Sequence, residues 1–389
     1  MVSLLLVVGL LGCSQSSEKS GRDRHPEVCN AGSQWQKGDS AFREATDDWG
    51  LIDIAATGVR MNAVDFDRDG WPDLTVRGGV DEPMWLLRNT THGTFEDVTE
   101  ASGIRVARDG DLDRTGPVWI WADLDNDGDL DVYMGLPDGE DGEHSSEVAI
   151  NNGDGTFELG PSGSPIRRGV DNPYGATFAD FDRDGSIDLF VGNYSQEQDD
   201  LFFGIGGADF EKRTKNAGIE TQPWVSLADI NDGLAHSVSW AVQACDVDGN
   251  GDPDVLVSSY GRAPNHLWLN SAGTFTNASV DSGYASDDRV DWSDNESARC
   301  WCELHPTEAH CGGVTEPPGI TCAEDADAFR WSHSGDREPY RLGGNSGQTV
   351  CWDVDNDGDM DLLTSEIVHW DVGSSSDPSE LLFNDGSGV

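Results

Sequence analysis

Short apolar runs separated by acidic, glycine-containing loops divide most of the chain into units of similar length. In the first unit, the alternation of apolar and polar residues predicts strands at 59–65, 73–77, 84–88 and 94–98. An acidic loop joins the first two strands, the third ends in Asn, and a glycine hairpin leads to a fourth strand containing Phe. The pattern predicts four short antiparallel strands in each unit.

The spacing of the units predicts a β-propeller. The acidic loops begin at positions 65, 123, 180, 246 and 353, at intervals of 58, 57, 66 and 107 residues. A period near 58 with four antiparallel strands is typical of an all-β propeller blade, whereas the repeats of a β-solenoid are much shorter. We interpret residues 285–345, which lengthen the last interval, as a Cys-rich insertion. A degenerate blade without a loop is the alternative.

The two ends of the repeat region are complementary. Residues 41–46, followed by Gly50 and Leu51, resemble the last strand of a blade, and residues 381–388 stop just before such a strand is due. Either the N-terminal strand closes the final blade, or the chain is a fragment that ends in mid-blade. The predicted organisation is a signal peptide at 1–13, a polar tether at 14–40 and a propeller at 41–389.

Five copies of the pattern Asp-x-Asp-x-(Asp/Asn)-Gly-x-x-Asp form the acidic loops, at 65–73, 123–131, 180–188, 246–254 and 353–361. Carboxylates at alternate positions of a tight turn direct their oxygens toward one point, which suits Ca²⁺ with its six to eight oxygen ligands. Glycine at position six permits the sharp turn. The loops therefore predict about five calcium ions. The predicted ligands, at positions one, three, five and nine, are Asp65, Asp67, Asp69, Asp73, Asp123, Asp125, Asp127, Asp131, Asp180, Asp182, Asp184, Asp188, Asp246, Asp248, Asn250, Asp254, Asp353, Asp355, Asp357 and Asp361.

Two other interpretations of the loops are weaker. An EF-hand needs a bidentate Glu at position twelve and flanking helices, but position twelve here is apolar or Thr and lies in a predicted strand. Simple acidic turns would also use Asp and Gly. They do not explain four carboxylates within nine residues, which repel one another without a cation. Loop four has Asn250 at position five and is expected to bind most weakly.

The overall charge excludes nucleic acid as a partner. The 389 residues carry 73 acidic and 24 basic side chains, for a formal charge of −49, which five bound Ca²⁺ would reduce only to −39. Anionic membrane surfaces are equally poor partners.

The N-terminus resembles a bacterial lipoprotein signal. Residues 4–11 form an apolar run too short to span a bilayer, and it ends in Leu10-Leu-Gly-Cys13. Cys13 would then be acylated and anchor an exported protein to the membrane or cell surface. The absence of Lys or Arg before Leu4 departs from that pattern, and an ordinary cleaved signal is the alternative.

Eight cysteines favour disulfides in an exported chain, with one left over once Cys13 is lipidated. Four of them lie between Cys300 and Cys322, close to His305 and His310. A zinc knuckle is the alternative there, but the spacing matches no common zinc signature.

The loops and their flanking residues make the chain resemble the FG-GAP/VCBS repeat proteins, whose loops also occur in integrin α-subunit propellers. The resemblance covers about 41–389. Residues 93–104 and 121–129 are similar to bacterial members of the ASPIC/UnbV, cartilage-acidic-protein-like group. This implies an exported calcium-binding propeller with a role in adhesion or ligand binding, and it assigns no catalytic residue. The carboxy-terminal ASPIC module of that group is absent, which favours a truncated chain.

Two functions follow as hypotheses. The first is a non-enzymatic surface protein that binds an extracellular protein or glycan, and the second is a calcium-dependent polysaccharide lyase or glycoside hydrolase. The sequence has neither a Gly-x-Ser-x-Gly nor a His-Glu-x-x-His motif. His236, His266 and His369 are interpreted as structural, and Asp109, Asp111, Asp113, Asp229 and Asp232 as solvated turns. Trp301 and Trp331 are the predicted exposed stacking residues, whereas Trp119 and Trp352 are expected to pack between blades.

Overall fold

The structure is a computed structural model that describes residues 42–51, 54, 60–77, 84–110, 116, 118–136, 145–167, 172–194, 197–223, 233–260, 263–286, 296–314, 316–319, 321–322, 346–367 and 379–386. It is an all-β propeller of five antiparallel blades, four with four strands and the fifth with three described strands. The strands are β1 Met61–Val64, β2 Asp73–Arg77, β3 Met84–Asn89, β4 Phe95–Asp97, β5 Val118–Ala122, β6 Asp131–Gly135, β7 Glu147–Asn151, β8 Phe157–Leu159, β9 Pro173–Ala179, β10 Asp188–Asn193, β11 Asp200–Gly206, β12 Asp209–Lys212, β13 Ser239–Cys245, β14 Asp254–Ser259, β15 His266–Ser271, β16 Thr274–Asn277, β17 Ser346–Trp352, β18 Asp361–Glu366 and β19 Leu381–Leu382.

Each blade is a simple meander in which strands adjacent in sequence are adjacent in the sheet. Every acidic loop joins the first strand of its blade to the second, so that Val64 pairs with Asp73 in blade one. The sequence prediction of four-stranded blades, with the loop after the first strand, is confirmed. All five loops therefore lie at the same end of their sheets.

Apolar side chains on facing blades form four hydrophobic cores, one between each pair of successive blades. The second strand contributes to two of them. In β6, Val132 and Met134 pack in the core shared with blade one, and Tyr133 packs in the core shared with blade three. Strand alternation sends neighbouring side chains to opposite faces, so a strand between two blades is apolar on both sides.

The outer face of blade five is exposed. The residue before the first loop Asp is Val64 in blade one, where it packs against blade two, but the corresponding Trp352 is 70% exposed. Leu363, on the same face, is 45% exposed. The prediction that Trp352 packs between blades is wrong because no described blade follows the fifth. Trp119, predicted in the same way, is buried between blades one and two.

The prediction of a strand at 41–46 is wrong for residues 42–46, because these residues form no strand. Residues 46–50 form turns instead, with Gly50 at φ +74°. The Trp49 carbonyl accepts a hydrogen bond from the Phe95 amide at 2.9 Å, and the two rings lie 5.7 Å apart. This segment therefore packs against the fourth strand of blade one.

The described part of the insertion is helical and cross-linked. It contains α2, Glu296–Leu304, and a 3-10 helix, Ala309–Gly313, whereas α1, Thr99–Ser102, follows blade one. Disulfides join Cys300 to Cys322 and Cys302 to Cys311. Four cysteines in disulfides leave no thiolate there for zinc. The described residues of this segment, 296–314, 316–319 and 321–322, contain no strand, and the choice between a disulfide-tied insertion and a degenerate blade stays a prediction.

A third disulfide joins Cys245 in β13 to Cys351 in β17, and thus the first strands of blades four and five. The residues described include no free cysteine. Cys13 and Cys29 lie outside the described residues, as do the predicted signal peptide and tether. Within the described ranges, neither helix is long and apolar enough to cross a membrane.

Candidate metal centre

Every acidic loop brings three carboxylates together. In each, one oxygen from each of three side chains lies within 4.8 Å of the other two. The five groups are Asp65, Asp67 and Asp73; Asp123, Asp125 and Asp127; Asp180, Asp182 and Asp188; Asp246, Asp248 and Asp254; and Asp353, Asp355 and Asp357. The other predicted ligands, Asp69, Asp131, Asp184, Asn250 and Asp361, lie in the same loops but outside these groups.

A ladder of side-chain to backbone hydrogen bonds shapes each loop. In loop one, the Gly70 amide donates to Asp65 Oδ2 at 2.9 Å, the Asp69 amide to Asp67 Oδ1 at 3.2 Å, and the Trp71 amide to Asp69 Oδ1 at 2.8 Å. The same three bonds recur in the other four loops. The side-chain oxygens at positions one, three and five therefore hold the backbone turn of each loop by accepting these bonds.

Position four takes the left-handed conformation in all five loops, which the sequence analysis missed. Arg68 has φ 55° and Arg183 φ 60°, a region that non-glycine residues rarely adopt. The other three loops have Asn126, Gly249 and Asn356 there, residue types that tolerate this conformation. The Asn and Gly residues in these three loops were the sequence signal for a left-handed position four. Arginine at that position in the other two loops hid the pattern.

The Asp at position nine anchors the loop to its blade. Asp73 is buried, and its two oxygens accept hydrogen bonds from the Phe66 amide at 3.2 Å and the Asn89 amide at 2.7 Å. Burial raises the pKa of Asp73 to about 7, against the lowering effect of these two bonds. Burial likewise raises the pKa of Asp188 to about 7 and of Asp131 and Asp254 to about 6. A nearby cation would favour the charged form of these groups.

In loops one, two and four, the Asp at position one carries an oxygen that lacks a hydrogen-bond partner among the described residues. Asp65 Oδ1, Asp123 Oδ1 and Asp246 Oδ1 are buried and accept no hydrogen bond from the residues described. A buried carboxylate oxygen without a donor is costly. Burial and the charges of Asp69 and Asp65 also raise the pKa of Asp67. A cation among these oxygens would relieve both costs, so the residues present fit a metal ion.

Loops one, three and four also connect their blades to the next one. Asn151, at the end of β7, donates from Nδ2 to the Phe66 carbonyl at 2.8 Å, and the Phe66 ring packs against Phe157. Asn270 bonds the Phe181 carbonyl at 2.9 Å and Asn384 the Val247 carbonyl at 2.7 Å in the same way. Position two of the loop is therefore held by the following blade.

Arginines at position four link two pairs of loops. Arg68 of loop one forms an ion pair with Asp129 of loop two at 2.6 Å, and Arg183 of loop three pairs with Asp252 of loop four. Asp129 and Asp252 occupy position seven of loops two and four, and their side chains bridge neighbouring blades.

Comparison with a family model agrees with this geometry. Residues 65–134 and 123–191 match the FG-GAP-like repeat. The chain carries FG-GAP-like repeats. The two matched segments contain the first three acidic loops, the strands β2 and β6, and the first residues of β10.

Several solved structures resemble this FG-GAP-like propeller. An Agrocybe aegerita lectin that recognises non-reducing terminal N-acetylglucosamine has a TM-score of 0.37 at 17% identity over 84% of this chain. An exotype rhamnogalacturonan lyase has a TM-score of 0.40 at 14% identity over 84% of this chain. The V. cholerae biofilm matrix protein Bap1 has a TM-score of 0.32 at 12% identity over 78% of this chain. This chain spans 66%, 47% and 34% of those three chains, respectively. No curated protein matches the sequence.

Other residues singled out by sequence have structural surroundings in the FG-GAP-like propeller. His236 is buried and its Nδ1 lies 2.6 Å from Thr221 Oγ1. His266 is fully buried beside Trp268, and burial lowers its pKa to about 4. Trp301, expected to be exposed, is half-buried and stacks on His305 with ring centroids 3.9 Å apart. Asp111, Asp113, Asp229, Asp232, Trp331 and His369 lie outside the described residues.

Restoring the missing carboxylate in loop four should strengthen that loop. Asn250 Nδ2 donates to Asp248 Oδ2 at 3.0 Å, so the amide engages an oxygen that a cation would otherwise attract. Asn250→Asp is expected to raise the calcium affinity of loop four by about tenfold, since an added ligand charge tightens such sites. Titration calorimetry compares it with Asn250→Ala, which removes the amide bond without adding charge. Equal affinity in wild type and Asn250→Asp would contradict a ligand role for position five.

Proposed function

We propose that the five loops bind Ca²⁺, which stabilises the propeller. The observation that carries this proposal is the unpartnered, buried Oδ1 of Asp65, Asp123 and Asp246 beside two further carboxylates. Hard oxygen ligands of mixed geometry suit Ca²⁺ better than Mg²⁺, which demands a stricter octahedron. The side-chain oxygens at positions one, three, five and nine would hold the ion.

Calcium bound in the loops would stabilise the contacts between blades. The loop ladder fixes position two, whose carbonyl and side chain meet the next blade. Without a cation, repulsion among three to four carboxylates opposes that arrangement. The proposed role of the ion is therefore to hold the blades rigidly, so that loops on the propeller present a fixed surface.

The protein is proposed to act outside the cytoplasm as a non-enzymatic binder of a protein or glycan. Three disulfides fit an oxidising compartment. The similarity of residues 93–104 and 121–129 to the ASPIC/UnbV group supports export and ligand binding. A rigid scaffold with a long, cross-linked insertion is a common way to present a recognition surface.

A ligand screen with the full chain tests this proposal. Glycan and protein arrays are probed in 1 mM CaCl₂ and in EDTA, and bound glycans are recovered to look for cleavage. We expect binding that requires calcium and leaves the glycan intact. Recovery of shortened or unsaturated products would instead establish the lyase or hydrolase. Failure to bind any ligand in calcium would refute the binding role.

Attachment to the membrane is proposed to depend on the thiol of Cys13, which lies outside the described residues. Two or more acyl chains suffice for stable anchoring. Cys13→Ser, expressed in a bacterium that processes lipoproteins, is expected to abolish labelled palmitate incorporation and release the protein to the soluble fraction. Cys29→Ser serves as the matched control and should remain anchored. Palmitate labelling of Cys13→Ser at the wild-type level would contradict the lipobox.

A further inference from the structure

Four aromatic side chains gather at the end of the blades opposite the acidic loops. Tyr174 and Trp240 are the second residues of β9 and β13, and Tyr194 and Tyr260 directly follow β10 and β14. The centroids of Tyr174 and Trp240 are 4.5 Å apart, those of Trp240 and Tyr260 5.0 Å, and those of Tyr174 and Tyr194 5.1 Å. All four side chains are half-buried. Their ring edges carry three hydroxyls and an indole N–H.

An arginine from blade one completes this aromatic cluster. The Arg60 guanidinium carbon lies 4.5 Å from the centroid of Tyr174, and Nη2 donates to the Trp240 carbonyl at 3.3 Å. Arg60 is thus the point where blade one meets blades three and four. The backbone of Arg77 donates to the Arg60 carbonyl at 3.0 Å, which brings a second arginine to the same end of blade one.

Arg60 and Arg77 have no anionic partner within the part of the chain that the structure describes, although the chain carries a formal charge of −49. Burial is the largest cause of the lowered pKa of Arg60, and the charge of Arg77 adds to it. A partly buried guanidinium with unused donors is a ready site for a carboxylate.

A buried carboxylate lies beneath the aromatic cluster and is hydrogen-bonded to two of the strands that carry it. Buried Asp199 accepts hydrogen bonds from the Asn193 amide at 2.8 Å and from Ser239 Oγ at 2.8 Å. Asn193 and Ser239 are the residues immediately before Tyr194 and Trp240. One buried carboxylate therefore ties together the two backbones that present these rings, and a site whose side chains are already held in place loses little entropy on binding.

A cavity of mixed polar and apolar lining lies beside the cluster. Its volume is about 390 Å³, and it lies among the first strands of blades three, four and five. Ala241, which follows Trp240, and Thr177, three residues after Tyr174, line it together with Gln243 and Gln348. Hydroxyl and amide groups without charge suit the hydroxyls of a sugar.

From this arrangement we propose that the aromatic cluster, with Arg60, is a binding site for an acidic pyranose, a hexuronate residue of a polysaccharide. A pyranose has an apolar C–H face, which packs on aromatic rings, and a rim of hydroxyls, which meets their polar edges. The guanidinium of Arg60 would take the carboxylate, with Arg77 supporting the local positive charge. This inference rests on the proposed function as a ligand-binding propeller, and it names both the site and the ligand class.

The test measures tri-galacturonic acid binding to the full chain by titration calorimetry at a fixed free Ca²⁺ of 1 mM. Galactotriose serves as the uncharged comparator. Trp240→Ala is expected to weaken binding of both sugars by about tenfold or more, as stacking on an aromatic ring is lost. Arg60→Gln is expected to weaken only tri-galacturonate, by about tenfold or more, because a charge-assisted hydrogen bond is removed.

Two matched variants control for general effects. Trp352→Ala removes a tryptophan that is 70% exposed on blade five, and Arg88→Gln removes an arginine paired with Glu96 at 2.6 Å on the surface of blade one. Both should bind tri-galacturonate as wild type does. Each variant is checked for an unchanged melting temperature, and if Trp240→Ala does not fold, Arg60→Gln decides the question.

The outcomes separate this site from the proposed function. If the arrays find a calcium-dependent ligand but tri-galacturonate does not bind, the site assignment is wrong and the binding function stands. Binding that survives both Arg60→Gln and Trp240→Ala places the sugar elsewhere and also overturns the assignment. If no ligand of any class binds, both proposals fail together.

Discussion

Removal of calcium is expected to lower the unfolding midpoint of the propeller more than any single loop substitution. A site with a Kd of about 0.1 mM contributes about 1.4 kcal/mol to the free energy of unfolding at 1 mM Ca²⁺, so five sites would contribute about 7 kcal/mol. The physical reason lies in the carboxylates, three of which approach within 4.8 Å in each loop and repel one another without a cation.

Differential scanning calorimetry in 1 mM CaCl₂ and in EDTA measures this effect. Adding excess Ca²⁺ back should restore the original midpoint, and replacing it with 1 mM Mg²⁺ should restore only part of it, because Mg²⁺ dehydrates reluctantly. A second control, 3 mM NaCl, excludes simple charge screening. Identical unfolding midpoints in EDTA and in calcium would contradict a stabilising role of calcium in this fold.

The fold was accessible from the sequence because each repeat encodes its own blade locally. The second strand of blade one was predicted at 73–77, and β2 spans Asp73–Arg77. The loop fixed that boundary, since its last Asp is also the first residue of the strand. The carboxylate groups were equally accessible, because their members lie within nine residues of one another.

Features that depend on contacts between blades were not accessible. The aromatic cluster joins residues 60, 174, 194, 240 and 260, which become neighbours only when blades one, three and four pack around one axis. The prediction that Trp352 is buried between blades was wrong for the same reason. Its position in the repeat faces the following blade, and the repeat pattern alone does not show whether a further blade packs there. The Asn at the end of the third strand was noticed, but its bond to the preceding loop crosses between blades.

Loss of the Cys245–Cys351 disulfide is expected to have the second-largest effect on stability. The two cysteines lie 106 residues apart in sequence, with the insertion between them, and cross-linking a loop of about 100 residues contributes about 4.7 kcal/mol in the chain-entropy account. Cys351 is buried in the core between blades four and five. The bond therefore tethers blade five to the rest of the propeller.

Blade five is expected to depend on this tether because, among the described residues, one face only of the blade is supported. Its inner face packs on blade four, where Tyr284 Oη lies 2.6 Å from Thr349 Oγ1, while Trp352 and Leu363 on the outer face are exposed. Cys245→Ala/Cys351→Ala is therefore expected to lower the denaturant midpoint in 1 mM Ca²⁺. It should also accelerate amide exchange in β17 and β18 before that in the other blades.

The control is Cys302→Ala/Cys311→Ala, which opens a disulfide spanning only nine residues within the insertion. Its effect should stay in α2 and the following 3-10 helix, because a short loop restricts the unfolded chain less and no blade is held by it. If the two double variants lose equal stability, or if exchange in β17 remains as slow as in wild type, the tether is not what holds blade five. Its attachment would then rest on the apolar core and on hydrogen bonds such as Asn384–Val247 and Tyr284–Thr349.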